Sequence, residues 1–418
     1  MSWARIGLLI GAFVLTVGSH AWATTYYVAT TGNDTTGTGA VGAPWRSIQK
    51  GVTNAACGDT VTVADGTYTA ADGNGSGATS IAVYIRSNAN PDLDSANCTA
   101  GNPVTVRSTN ANGAVVTMPS VTNTGNRGFR ITRAGWIIEG FRITGGTIST
   151  GASLAYSGVY VDTGGDSVTI RNNKIDNVGR TVCSNSVNGF AGIFARNMTG
   201  FTAEDNTLNA IGRLRNGESG CSTSIFQHDH AIYLGGGDTN TVIRRNVIWD
   251  SNRGYAIQTF GGTSTNLTIV NNTFSGKSPT GEPSGHVRLA STIVTATVKN
   301  NLCDDPDTDG CFNTGNPAGT FSNVAIQYNM SSHSDADLLV YAGASGVTAS
   351  NNTASATLGF VNAGANDYTL SATTDADNAG VDVGLPYNGS APDIGAFETF
   401  AFASCVVEDG DANTLRVT

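Results

Sequence analysis

Two histidines flank an aspartate at His228-Asp229-His230, and a tyrosine follows at Tyr233. On a strand, residues i and i+2 share a face, so the two imidazoles are expected to point together. An imidazole base beside a phenol acid suits removal and return of a carbon-bound proton next to a carboxylate, as at C5 of a uronate. That proton is acidic only when the carboxylate is neutralised, and Arg253, Arg288 or a bound calcium are the candidates for that task. The plainer reading is that His230 caps a turn at the entrance of a strand.

A second cluster is Asp305-Pro-Asp307-Thr-Asp309-Gly310, the first half of a calcium loop, in which alternate carboxylates converge on one cation. The twelfth position is Asn316 rather than a bidentate glutamate, which excludes an EF-hand. Calcium is therefore the one cofactor expected, at Asp305, Asp307 and Asp309, and no organic cofactor is implied. The competing reading is an acidic surface turn stapled by Cys303 and Cys311. Asp409, Asp411 and Asn413 repeat the spacing more weakly.

These residues sit in a repeated unit of a short apolar strand, a Gly/Thr-rich turn and a second strand. Aligned second strands include VTIRNN (168–173), FTAEDN (201–206), TVIRRN (241–246), LTIVNN (267–272), ATVKNN (296–301), VAIQYN (324–329) and VTASNN (347–352). VTVRST (104–109) and WIIEGF (136–141) join the series without the final asparagine. Repeats of roughly 23–40 residues exceed the hexapeptide solenoid and offer too few strands for propeller blades. Stacked units with alternating inward Val and Ile predict an all-β fold, a right-handed parallel β-helix. Asparagine tolerates a left-handed bend, and its amide can bond the same side chain one coil along.

In the first strands the expected inward pairs run from Val159/Val161 to Val287/Leu289, leaving Tyr160, Phe194, Tyr233, Gln258 and Arg288 as one outward column. Aromatic rings there offer flat faces to sugar rings, and Arg288 offers paired donors to a carboxylate. The competing reading is a covered ladder of stacked rings. A zinc site at His228 and His230 would need His286, two coils away at about 10 Å. Hydrolysis needs paired carboxylates, and Asp162 is the only acid that falls on this outward face.

Pro44–Ala55 reads as a helix with Ile48, Val52 and Ala55 on one face, suited to cap the N-terminal end of the stack. Arg5, the apolar run Ile6–Val17 and Ala21-Trp22-Ala23 read as a secretory signal peptide cleaved after Ala23. The expected organisation is thus a signal peptide (1–23) and one solenoid domain (24–398), with a cap over 24–80 and a closing segment over 360–398. A polar tail follows (399–418). No later stretch is apolar enough to span a membrane. Four lysines and a formal net charge of −10 argue against a nucleic-acid partner. Seven cysteines in an exported chain suggest disulfides, read as Cys57–Cys98, Cys183–Cys221 and Cys303–Cys311 with Cys405 left over.

The opening YYVATTGND…APWRSIQKGV…GDTVTVADGTYT, the HAIYL…TVIRRNVIWDSNRGYAIQ unit and the terminal APDIGAFE resemble exported bacterial proteins of the pectin-lyase-like right-handed β-helix superfamily. That resemblance implies a monomeric protein, secreted, periplasmic or at the cell surface, with an acidic polysaccharide as partner. It favours a polysaccharide lyase or a uronan C5-epimerase. A non-catalytic glycan-binding or adhesion protein is the alternative, and a glycoside hydrolase ranks lower. Uronan epimerases use an Asp-Pro-His site with tyrosine, whereas this chain has His-Asp-His and no proline there. The Asn-Thr-Asp, Gly-His-Gly and Arg-Ile-Lys signatures of polygalacturonases are absent.

Overall fold

The computed structural model describes residues 23–69, 80–119, 125–145, 156–223, 228–251, 253–276, 285–305, 310–314, 320–332, 339–340, 344–355 and 357–399. The expected signal peptide (Ala23 apart), Asp307, Asp309, Cys405, Asp409, Asp411 and Asn413 lie outside them. No helix among the described residues is long and apolar enough to cross a membrane.

The chain winds as a right-handed parallel β-helix of three sheets. Each full coil supplies one strand to each sheet, as in Tyr156–Val161, Thr169–Arg171 and Lys174–Asp176. The first sheet runs from Ile81–Ile85 to Leu339–Val340, the second from Thr25–Val28 to Val347–Ser350, and the third from Gly66–Tyr68 to Thr353–Ala354. Neighbours in these sheets are successive coils, paired in parallel, so the same position recurs along the stack. Inward residues of the second sheet, among them Ile138, Ile170, Ile243, Ile269 and Ile326, are wholly buried. Each contributes roughly 2 kcal/mol of burial, and no coil could bury its apolar face alone.

The expected asparagine ladder is present and continuous. Asn173, Asn206, Asn246, Asn272, Asn301 and Asn329 each donate Nδ2 to Oδ1 of the next asparagine, ending on Asn352. Each Nδ2 also reaches a backbone carbonyl of the preceding coil, as Asn246 does to Ala203 at 2.9 Å. The bend itself falls one residue earlier than the sequence suggested. Positive φ belongs to Asn172, Asp205, Arg245, Asn271, Asn300, Tyr328 and Asn351, so the ladder residue bonds while its predecessor turns.

The capping helix is shorter than expected, Ile48–Asn54, with Ser47 as N-cap accepting from the Lys50 N–H at 3.1 Å. Pro44 does not start it. Trp45 instead pairs with Tyr27, and Asp34 accepts from the Arg46 and Ser47 N–H groups, which holds this stretch extended. Ile48 and Val52 are buried as expected, and Gln49 clamps both backbone groups of Tyr84 on the first sheet. The closing segment lies along the side of the stack. Tyr368 packs on Trp249, the Asn300 amide donates to the Val381 carbonyl, and Ile394 and Leu358 join Leu302 and Met330 in a small second core. The three expected disulfides are formed, with Cα separations of 5.5, 5.4 and 5.9 Å.

Candidate functional site

The outward column of the first sheet is in register as the alternation predicts. Tyr160 pairs with Phe194, Phe194 with Tyr233, Tyr233 with Gln258, and Gln258 with Arg288. The structure extends it to Arg130 and Tyr84 on one side and Asn313 on the other. At about 4.8 Å per coil these eight positions span about 34 Å. Tyr160 and Phe194 lie 4.9 Å apart, and Phe194 meets Tyr233 edge to face at 5.0 Å.

Sequence reasoning missed the arginines at the head of this column. The Arg127, Arg130 and Arg196 guanidiniums lie 4.8, 5.6 and 5.7 Å from the Tyr160 ring centre, and Arg86 lies 4.9 Å from that of Tyr84. Arg130 and Tyr84 follow from the register once the alignment is carried two strands further back. Arg127 breaks the alternation, for a physical reason. At Gly128, Gly158 and Gly192 a Cβ would come within 2.8 Å of Ile143, Ile175 and Leu208 on the third sheet. Two successive residues therefore face the core, and the residue before them emerges.

One carboxylate, Asp162, stands in this cluster, accepting from Arg196 Nε at 2.8 Å and Arg130 Nη2 at 3.1 Å. Burial raises its pKa, but Arg196, the Thr163 N–H and Arg130 outweigh burial and hold it below the usual carboxylate value. Asp162 is thus ionised and paired, and among the described residues no acid lies in the column from Tyr84 to Asn313 beside it. Burial lowers Arg127 to about 10. Tyr160 moves the other way, raised by burial and by Asp162 against the three arginines. Elsewhere arginines are spent on structure: Arg171 pairs with Glu139, and Arg244 with Glu204, along the outer face of the second sheet.

The histidine cluster is assembled but closed. His230 stacks on Tyr233 at 5.1 Å and on Tyr255 at 6.2 Å, and the Arg288 guanidinium lies over the Tyr255 ring at 5.3 Å. Tyr255 was not foreseen. His230 Nδ1 accepts from the Tyr255 N–H at 3.1 Å, which engages that lone pair and leaves the ring proton on Nε2. Burial lowers His230 to about 3 and raises Tyr233 to about 12, so both are neutral at neutral pH. His228 is half-buried, and its pKa too is lowered by burial. Asp229 points away from both and is fully buried against Arg213.

Arg253 does not reach the outward column. It donates to the carbonyls of Ser184 at 3.0 Å and Thr223 at 2.9 Å, tying down the insertion that carries Cys183–Cys221. His286 stacks on Phe274 and bonds the Asp304 carbonyl at 2.9 Å. Among the described residues no three His, Cys, Asp or Glu side chains gather as a metal site. Of the three expected calcium ligands only Asp305 is described, its N–H donating to Ser332 Oγ at 2.7 Å.

Asp238, just past the strand that carries Tyr233, is 1% exposed, and burial raises its pKa to about 7. The folded state then holds a proton that the unfolded chain releases near pH 4. Stability is expected to fall as pH rises from about 4 to about 7. Asp238→Asn should raise the melting temperature at pH 8 and leave it unchanged at pH 4. An equal shift at both values would contradict this titration.

No family model matches the chain, and no curated protein matches it. Among solved structures it is similar to the pectate lyase Pel9A, with 18% identity, a TM-score of 0.42 and coverage of 90% of this chain and 96% of that one. A rhamnogalacturonan lyase matches with 12% identity, a TM-score of 0.33 and coverage of 63% and 84%. An alginate lyase from Paenibacillus sp. str. FPU-7 matches with 14% identity, a TM-score of 0.30 and coverage of 71% and 97%.

Proposed function

We propose that this protein binds an acidic polysaccharide along the first sheet and acts on it by removing the C5 proton of a uronate. The observation that carries this reading is the group of three guanidiniums within 5.7 Å of the Tyr160 ring, in a chain of net charge −10. Arg130 and Arg196 share the one carboxylate of Asp162, and the positive charge they keep would neutralise the sugar carboxylate, which makes the neighbouring proton acidic. Arg127, whose pKa burial lowers to about 10, would be the base in its neutral form. Tyr160 stays protonated and would be the acid. In β-elimination the C5–H bond breaks, the C4–C5 double bond forms, and Tyr160 protonates O4 as it leaves. In epimerisation Arg127 takes the C5 proton from one face and Tyr160 gives its own proton to the opposite face. The disulfides fit an oxidising compartment outside the cytosol.

The closed histidine cluster favours a second reading, a glycan-binding protein without chemistry. Absorbance near the unsaturated-uronate band, over a panel of uronic-acid polymers, tests for the lyase. A rise lost in Arg127→Ala and Tyr160→Phe is expected, and deuterium exchange at C5 without a rise would mark the epimerase. Activity should climb with pH as Arg127 deprotonates, tenfold per unit from pH 7 to about 9, and level near 10. Binding with neither chemical signal would leave the second reading. A rise that survives both substitutions would remove these residues from the mechanism.

A further inference from the structure

The charge along the outward face stops abruptly. Arg196 is in register with Gly235, Gly235 with Phe260, and Phe260 with Ala290. The column beside them continues through Tyr233 and Gln258, so two successive coils present no charge outward. Phe260 is 48% exposed, at a point where the strand Ile257–Ser264 shifts register and Gly261 and Gly262 take positive φ. Gly235 keeps the floor beside it low. A Cβ there would crowd Phe194 Cε2 at 3.1 Å and Tyr233 Cε1 at 3.2 Å, so the glycine lets those two rings close together over it.

We infer that Phe194, Tyr233 and Phe260 form a subsite for an uncharged sugar next to the arginine cluster, so that the ligand is a mixed polymer alternating uronate with neutral sugar. This rests on the acidic-polysaccharide reading and narrows it. A ring face is the negative side of its quadrupole, so it repels a carboxylate and accepts the C–H face of a neutral sugar. A carboxylate seated there would lose water without gaining a donor, which is costly. Tyr160 differs because its surroundings already hold three guanidiniums. The arrangement selects for a charge followed by an apolar face.

The test compares full-chain protein binding to labelled oligosaccharides of equal length: a uronate homopolymer, an alternating uronate–neutral copolymer and its carboxyl-reduced form. The copolymer is expected to bind about fivefold more tightly than the homopolymer, the scale of one aromatic contact. Phe260→Ala, an exposed position, should erase that preference, and Phe260→Arg should reverse it. A homopolymer bound as tightly as the copolymer, or a preference indifferent to Phe260, would overturn the inference and leave the acidic reading standing. If neither acidic ligand binds better than the reduced one, the arginine reading fails, and this inference with it.

Discussion

Asp229→Ala is expected to cost about 3–5 kcal/mol of stability, the scale of breaking a buried ion pair. Asp229 and Arg213 have fully buried side chains, and the carboxylate accepts from Arg213 N, Nε and Nη2 and from the Phe190 N–H at 2.8–3.0 Å. Removing it takes the counter-charge from a guanidinium in a fully buried site, where donation to the Ser184 and Ser186 carbonyls does not replace a negative charge. The double variant Asp229→Leu/Arg213→Met should recover the part of the loss that comes from the orphaned charge, while the Phe190 and Arg213 N–H groups still lack their acceptor. Urea titration of the single and double variants checks both statements. A single-variant cost below about 1 kcal/mol would mean that water reaches the pair. The same bond explains why the aspartate of the His-Asp-His stretch takes no part in the proposed chemistry.

Asn272→Ala should cost about 3–5 kcal/mol, from lost hydrogen bonds and a backbone donor left without its acceptor. Asn272 Nδ2 donates to Asn301 Oδ1, Ile243 O and Val270 O, while its Oδ1 accepts from the Asn246 N–H and Nδ2, all at 2.9–3.1 Å. Alanine removes all five and leaves the Asn246 N–H buried without that partner. Asn352→Ala, at the half-buried last rung, should cost only about 1 kcal/mol, because water reaches the groups it exposes. Equal costs at the two positions would contradict a ladder whose value lies in burial.

The solenoid was legible because alternation and the recurring asparagine report a single geometry repeated along the chain. Register followed from them, so the column from Tyr160 to Arg288 stands in the expected register on the first sheet, with Tyr160, Gln258 and Arg288 buried rather than exposed. Two kinds of information were not in the pattern. Strict alternation counts one residue inward and one outward, and it fails where Gly128, Gly158 and Gly192 let two successive residues face the core. That failure hid Arg127, and it explains how His230 can stack on Tyr233 three positions later. The destination of an arginine is likewise set by its partners, not its type. Arg253 went to the insertion and Arg213 to Asp229, while Arg130 and Arg196 came out beside Tyr160.

The most direct measurement of the central claim is the affinity of the full chain for a uronic-acid polymer and for its carboxyl-reduced form, in the wild type and in Arg130→Ala/Arg196→Ala. Only the acidic polymer should bind, weakened at least tenfold in the double variant, on the scale of two charge-assisted contacts of roughly 1 kcal/mol each, and the melting temperature should fall because Asp162 loses both arginine partners. Binding that ignores the carboxyl groups, or that survives loss of both arginines, would contradict it.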